Sequence, residues 1–110
     1  RNISLAALLL ASTPGLASES NAITAGQLLD ACTRPSPHWI DFCNGFFQAA
    51  HDAAAIAGQV CTSDGTSRTR MVELFEAEAA RLIASDASIA ELPGISLAMT
   101  ILARSFPCVP

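Results

Sequence analysis

Four cysteines constrain this chain more than any other feature of its sequence: Cys32, Cys43, Cys61 and Cys108. They follow an N-terminal segment with the pattern of an export signal, and exported proteins meet oxidising conditions in which thiols pair. An even number of cysteines in a short exported chain predicts two disulfide bonds. Because a domain of this size buries only a modest core, we expect these cross-links to supply a large share of its stability.

Residues 1–17 have the pattern of a secretory signal peptide. Arg1 supplies the positive charge, the run from Ile3 to Ala11 is almost entirely apolar, and small residues surround the end of the segment at Ala17. A membrane-spanning helix needs about 20 apolar residues, which this run does not reach. We therefore predict cleavage after Ala17 and a mature helical domain of residues 18–110 without stable membrane insertion.

The charge of the chain is mildly acidic and dispersed. The chain has six basic residues, all of them arginine, and ten acidic residues, which gives a formal net charge of −4. Such a surface disfavours nucleic acid and anionic lipid as partners. It suits a basic protein partner, although an ordinary solvated surface explains it equally well.

Capping signals and apolar spacing predict four helices and no strands, so the fold class is all-α, a small disulfide-stapled four-helix bundle. Thr24 and Gln27 match a capping box, and Ser36-Pro37 matches an N-cap followed by a first-turn proline. The predicted helices run from Thr24 to near Cys32, from Pro37 to about Ala57, from Thr66 or Ser67 to about Ala84, and from Pro93 to about Ser105.

Helical spacing also predicts which side of each helix faces the core. The fourth helix is apolar nearly all round, which predicts a central position or a dimer interface. Gly45 and Ala49 in the second helix would let another helix approach closely. The predicted inner side of the second helix comprises Trp39, Phe42, Cys43, Phe46, Ala50, Ala53 and Ala57, broadened by Phe47 and Ile56.

Helix geometry narrows the pairing of the cysteines. A helix between Cys43 and Cys61 would hold their Cα atoms about 20 Å or more apart, far beyond the span of a disulfide. Short connections make successive helices antiparallel neighbours, which favours the pairs Cys32–Cys43 and Cys61–Cys108. The pairing of Cys32 with Cys61 and of Cys43 with Cys108 remains the alternative.

The sequence offers little catalytic or metal-binding chemistry. No two cysteines form the close pair typical of zinc ribbons, so we predict neither a metal site nor a cofactor. His38 and His51 are the only histidines, and histidine is the residue type most often used as a general base. Helix neighbours do not face each other, so we expect His51 to be solvent-exposed rather than paired with Asp52. We predict that the protein is not an enzyme.

Several short motifs, taken together in this order, resemble the Rap1a/Tai immunity-protein family over residues 22–108. The opening helix and first cysteine of that family resemble Leu28-Leu29-Asp30-Ala31-Cys32. Its second helix resembles Phe42-Cys43-Asn44-Gly45-Phe46-Phe47 followed by Asp52, and Cys61 falls where the family has a further cysteine. Its closing segment resembles Leu92-Pro93, an apolar helix and Phe106-Pro107-Cys108.

The resemblance implies a periplasmic, disulfide-bonded, all-helical protein of HdeA-like fold. It further implies binding and inhibition of a peptidoglycan amidase effector delivered by a type VI secretion system, and a homodimer. The chain departs from the family at Thr62-Ser63-Asp64-Gly65, where a Leu-Pro often stands, and in the connector of residues 85–92.

The connector from Ser85 to Leu92 is our predicted partner-binding segment. It is the longest connector, it is acidic, and the helices on either side can hold its ends still. We predict that Asp86, Ser88 and Glu91 contact the effector, although an ordinary surface loop would have the same composition. The alternative functions are an HdeA-like periplasmic acid-stress chaperone or another small periplasmic binding module, and the absence of lysine is a poor match to the chaperone.

Overall fold

A computed structural model describes residues 21–63 and 65–108 of the chain. The predicted signal peptide, residues 1–17, lies outside this range, so its cleavage stays a prediction. Within the described part there is no β-strand, only an isolated antiparallel bridge between Thr24 and Pro93. The elements are α1 (Ala25–Cys32), α2 (Pro37–Ile56), α3 (Arg68–Ser85), a 3-10 helix (Ala87–Glu91) and α4 (Gly94–Ser105), which confirms the predicted small all-α bundle.

The predicted capping signals set the helix starts. Thr24 Oγ1 accepts a hydrogen bond from the Gln27 backbone N–H at 3.2 Å, and Gln27 Oε1 accepts one from the Thr24 backbone N–H at 2.9 Å. This reciprocal box satisfies two amide donors that a helix start otherwise leaves free. At α3, Ser67 Oγ accepts from the Arg70 backbone N–H at 3.0 Å, and α2 opens with Pro37 in its first turn.

The buried side of α2 differs from the predicted one. Cys43, Phe47, Ala50 and Ala54 are buried, whereas Phe42, Ala53 and Ala57 are exposed, and Trp39 and Phe46 are half-buried. The helix is rotated because Cys43 is bonded to Cys32 and Phe47 packs on Phe75, with ring centroids 5.0 Å apart. The prediction of the inner side was therefore wrong at Phe42, Ala53 and Ala57. It was also wrong at Ile56, which is 88% exposed.

Helix α4 packs against the core with one side only. Its buried residues are Gly94, Leu97, Ala98, Ile101 and Leu102, while 39% of Ile95 is exposed to solvent. The exposed side of α4 does not fit the central position that its composition suggested, and the alternative, a dimer interface, stays a prediction. Single exposed apolar residues are common on protein surfaces, which explains why composition alone overestimated the burial of this helix.

Helices α2 and α3 do not form the antiparallel hairpin assumed from their order. Ile40 and Asn44, in the first half of α2, line the same groove as Thr69 and Glu73, in the first half of α3. The connection between the helices, residues 57–67, returns along α2 and is longer than the one between α3 and α4. The expectation that Ser85 to Leu92 is the longest connector was therefore wrong. His51 in α2 contacts Thr62 in this connection, with Nε2 and Oγ1 3.0 Å apart.

Two disulfides tie the bundle together. Cys32 at the end of α1 is bonded to Cys43 in α2, with Cα atoms 5.6 Å apart. Cys61 in the return connection is bonded to Cys108 after α4, with Cα atoms 5.0 Å apart. These are the pairs that the sequence analysis favoured, and they leave no free cysteine in the described residues. None of the described helices combines the length and the apolar character needed to cross a bilayer.

Candidate functional site

The connector between α3 and α4 is held firmly at its C-terminal end. The Ala25 backbone N–H donates to the Leu92 carbonyl oxygen at 2.7 Å, and the Gly94 N–H donates to the Ile23 carbonyl oxygen at 2.7 Å. Any residue with a Cβ at position 94 would place that atom 3.1 Å from the Ile23 carbonyl oxygen. The end of the connector is thus joined to the start of α1 by backbone contacts.

The beginning of the connector is joined to the end of α3, because the Asp86 backbone N–H donates to the Leu82 carbonyl oxygen at 2.9 Å. Asp86 Oδ1 accepts from the Ser88 backbone N–H at 3.0 Å and from the Ser88 hydroxyl at 2.7 Å. These hydrogen bonds stabilise the carboxylate and lower the pKa of Asp86. Asp86, one of the three residues predicted to contact a partner, therefore also caps the 3-10 helix, and Ser88 donates to this cap. Composition alone did not reveal this role.

The middle of the connector rests on the bundle. Ile89 is half-buried and packs against the core, and Ala90 lies over Gly26 of α1. A Cβ at Gly26 would stand 3.2 Å from the Ala90 Cβ, so glycine permits the close approach at this point. Sequence reasoning missed Gly26, although a glycine inside a short helix is the signal that could have drawn attention to it.

The outer surface of the connector combines charge with apolar area. Asp86, Ser88 and Glu91 are exposed, and 44% of Leu92 is exposed. Contact of the three polar residues with an effector stays a prediction. Leu92 also lines a groove of about 240 Å³ between the connector, α3 and α4. This arrangement is a rigid, mixed polar and apolar surface suited to contact with a protein. The groove is lined by Leu82, Ile89, Leu92, Ser96, Leu97, Thr100 and Arg104.

His51 is not the exposed histidine that we predicted. Its side chain is 20% exposed; Nδ1 lies 3.0 Å from Asp52 Oδ1, and Nε2 lies 3.0 Å from Thr62 Oγ1. The hydrogen bonds from His51 and Gln48 lower the pKa of Asp52. The prediction failed because a histidine ring can fold back onto the next residue while its other nitrogen reaches a neighbouring loop. His51 therefore fastens the return connection to α2.

The described residues contain no group of three or more histidine, cysteine, aspartate or glutamate side chains placed to hold a metal ion. All four cysteines are used in disulfides. The connector itself offers the exposed carboxylates of Asp86 and Glu91 and the exposed apolar side chain of Leu92.

A family model of the Rap1a immunity proteins matches residues 24–108, which is most of the chain and includes all four cysteines and the connector. The chain belongs to the Rap1a immunity protein family. As a Rap1a protein it is an immunity protein, whose partner is a protein effector, and such proteins are generally not enzymes. A search of curated proteins found no match, and a search of solved structures also found none.

Proposed function

We propose that this Rap1a protein is exported to the periplasm, where it binds a peptidoglycan amidase delivered by a type VI secretion system and blocks its active site with the connector from Ser85 to Leu92. The observation that carries the proposal is the fixation of this segment: its ends are hydrogen-bonded to the bundle, while Asp86, Ser88, Glu91 and Leu92 remain exposed.

Rigidity is what makes the connector suitable as a blocking element. A segment that is already ordered loses little conformational entropy when it enters a cleft. The capping of Ser88 by Asp86 and the bond from Ala25 to the Leu92 carbonyl order it before any partner arrives. Exposed Leu92 would be the apolar anchor, and Glu91 would be the polar contact beside it.

The periplasmic location is supported by the disulfides and the N-terminal pattern. Disulfides persist in the bacterial periplasm and are rare in the reducing cytosol. Cys32 and Cys43 tie α1 to α2, and Cys61 and Cys108 tie the return connection to the segment after α4. The family match favours the immunity protein over the acid-stress chaperone.

We further propose that the protein is a homodimer and that its interface is the α2 flank, defined by Phe42, Gly45, Ala49, Ala53 and Ile56. All five residues are exposed, and Ile56 is the most exposed large apolar residue of the described chain. A Cβ at Gly45 would meet no atom within 4 Å. The small residues leave room for a second helix, and a second copy would cover Phe42 and Ile56.

The test is inhibition of peptidoglycan hydrolysis. The mature domain is mixed with purified type VI amidase effectors, and hydrolysis is measured against the ratio of domain to effector. We expect one effector to be inhibited stoichiometrically, and we expect Leu92→Ala to weaken that inhibition about 10-fold or more. Asp41→Asn, an exposed change on α2 outside the connector, is the matched control and is expected to inhibit like the wild type. Equal inhibition by the Leu92 and Asp41 variants would refute the role of the connector.

A further inference from the structure

A second groove lies between the first halves of α2 and α3, away from the connector. We call it the acidic groove and define it by Ile40, Cys43, Asn44, Val72, Glu73 and Glu76; its volume is about 240 Å³. The disulfide between Cys32 and Cys43 and the side chain of Val72 form an apolar floor. Ile40 is 47% exposed, so a large apolar side chain at the groove stands open to solvent.

The charge of this groove is negative and unbalanced. Glu73 and Glu76 lie three positions apart on α3, where like charges repel, and no basic residue lines the groove. Within the described residues, the arginine ion pairs are Arg34–Asp30 and Arg81–Glu78, so neither glutamate of the groove is in one. Partial burial and the charge of Glu73 raise the pKa of Glu76.

This combination fits one kind of side chain. Arginine and lysine bury an aliphatic stem along apolar surface while the charged end stays among polar groups. The apolar floor matches the stem, and the two carboxylates match the cation. A guanidinium suits two separate carboxylates better than an ammonium does, because it presents five N–H donors in a planar fork. A cation placed there would also offset the repulsion between Glu73 and Glu76.

We propose that the acidic groove receives an arginine side chain of the effector protein. The inference rests on the proposed function, because it assigns a second contact to the same partner. The stem would lie against Ile40 and Val72, and the guanidinium would donate hydrogen bonds to the carboxylates of Glu73 and Glu76. The groove thereby adds charge selectivity, whereas the connector blocks the effector's active site.

The groove can be tested without the effector. The isotope-labelled mature domain is titrated with Nα-acetylarginine amide, up to tens of millimolar, and chemical shifts are followed by NMR. We expect shifts at Ile40 and Val72 that are absent with the neutral analogue Nα-acetylcitrulline amide. The variant combining Glu73→Gln and Glu76→Gln is expected to lose the response, and Asp41→Asn, which removes a charge outside the groove, is expected to keep it. Equal shifts with both probes, or no shifts at these residues, would overturn the proposal.

A second experiment measures the affinity of the domain for the effector that it inhibits. We expect the double glutamine variant to bind it about 30-fold or more weakly than the wild type, because loss of the carboxylates leaves a buried cation unpaired. Unchanged affinity would reject the groove while leaving the proposed function intact. If no effector is inhibited, the proposed function fails and the titration alone decides the groove. Conversion of a wild-type dimer into a monomer by the double variant would show that a second copy fills the groove, and would overturn the proposal.

Discussion

Phe47 of α2 and Phe75 of α3 pack together with ring centroids 5.0 Å apart and ring planes tilted by 49°, and both side chains are almost completely buried. Together with the Cys32–Cys43 bond, this contact orients α2 in the bundle. The same orientation turns Phe42 toward solvent and leaves Ile40 beside the acidic groove. The surface available to partners is therefore a consequence of which phenylalanine of α2 enters the core.

The first prediction compares two phenylalanines of α2. Phe47→Ala removes a fully buried ring and leaves a cavity, so we expect a loss of about 3–5 kcal/mol in the free energy of unfolding. Phe42→Ala is the matched control; its ring is 39% exposed, and we expect a clearly smaller loss. Urea denaturation followed by circular dichroism measures both. Equal losses would mean that α2 is rotated differently from the structure described.

The second prediction concerns the two disulfides. The Cys61–Cys108 bond closes a loop with a sequence separation of 47 residues, and the Cys32–Cys43 bond closes one of 11 residues. If the stabilisation comes from loop-closure entropy, removing the bond that closes the longer loop lowers the free energy of unfolding by about 4 kcal/mol. Removing the bond that closes the shorter loop lowers it by about 3 kcal/mol. Paired cysteine-to-serine variants compared by chemical denaturation check this order. A larger loss for the Cys32–Cys43 variant would show that local packing, rather than loop closure, dominates.

The third prediction concerns Glu76 and pH. Its raised pKa means that the folded state holds the proton more tightly than the unfolded state, so its ionisation disfavours folding as pH rises. We expect Glu76→Gln to raise the free energy of unfolding at neutral pH, and the difference from the wild type to shrink as pH falls through the folded pKa toward that of the unfolded state. Denaturation at several pH values tests this, with Asp41→Asn as the control. A lower free energy of unfolding for Glu76→Gln than for the wild type at neutral pH would contradict the raised pKa of Glu76.

The fourth prediction concerns the cap at Asp86. The lowered pKa of Asp86 means that its carboxylate stabilises the folded connector above the unfolded pKa, and that this contribution is lost as pH falls through the folded pKa. We expect Asp86→Ala to speed amide hydrogen exchange from Ser88 to Leu92 at neutral pH. Glu91→Ala, in the same segment but outside the cap, is expected to leave exchange unchanged. Equal protection in the two variants would show that Asp86 does not order the connector.

The fifth prediction tests the α2 flank as a dimer interface. Ile56→Arg places a charge on a residue that is 88% exposed in the single chain, so the fold should tolerate it while a dimer should not. We expect a shift from dimer to monomer in analytical ultracentrifugation. Ala77→Arg adds the same charge at an exposed position of α3 and is expected to leave the dimer intact. A dimer that survives Ile56→Arg would exclude the flank as its interface.

Local signals in the sequence predicted the helix boundaries well, because caps act within one turn. Thr24 with Gln27, Ser67, and Pro37 each begin the helix expected of them. The inner side of α2 was harder to predict, since this helix carries apolar residues around more than half its circumference and only tertiary contacts select among them. Phe47 enters the core because it packs against Phe75, a residue that comes 28 positions later in the chain.

The candidate site was only partly predictable for the same reason. Composition and position indicated the connector, but not that Asp86 caps it or that Gly26 permits its approach to α1. The connection of residues 57–67 returns along α2 and places Thr69 and Glu73 beside Ile40 and Asn44. The rule that short connections give antiparallel neighbours does not apply to a connection of this length. The acidic groove depends on that return and was therefore invisible in the sequence.

The decisive measurement is the hydrolysis of peptidoglycan by a type VI amidase effector at increasing ratios of the mature domain. We expect hydrolysis to stop at one domain per effector, and we expect Leu92→Ala to require a large excess to reach the same inhibition. Undiminished hydrolysis by every such effector at saturating domain would contradict it.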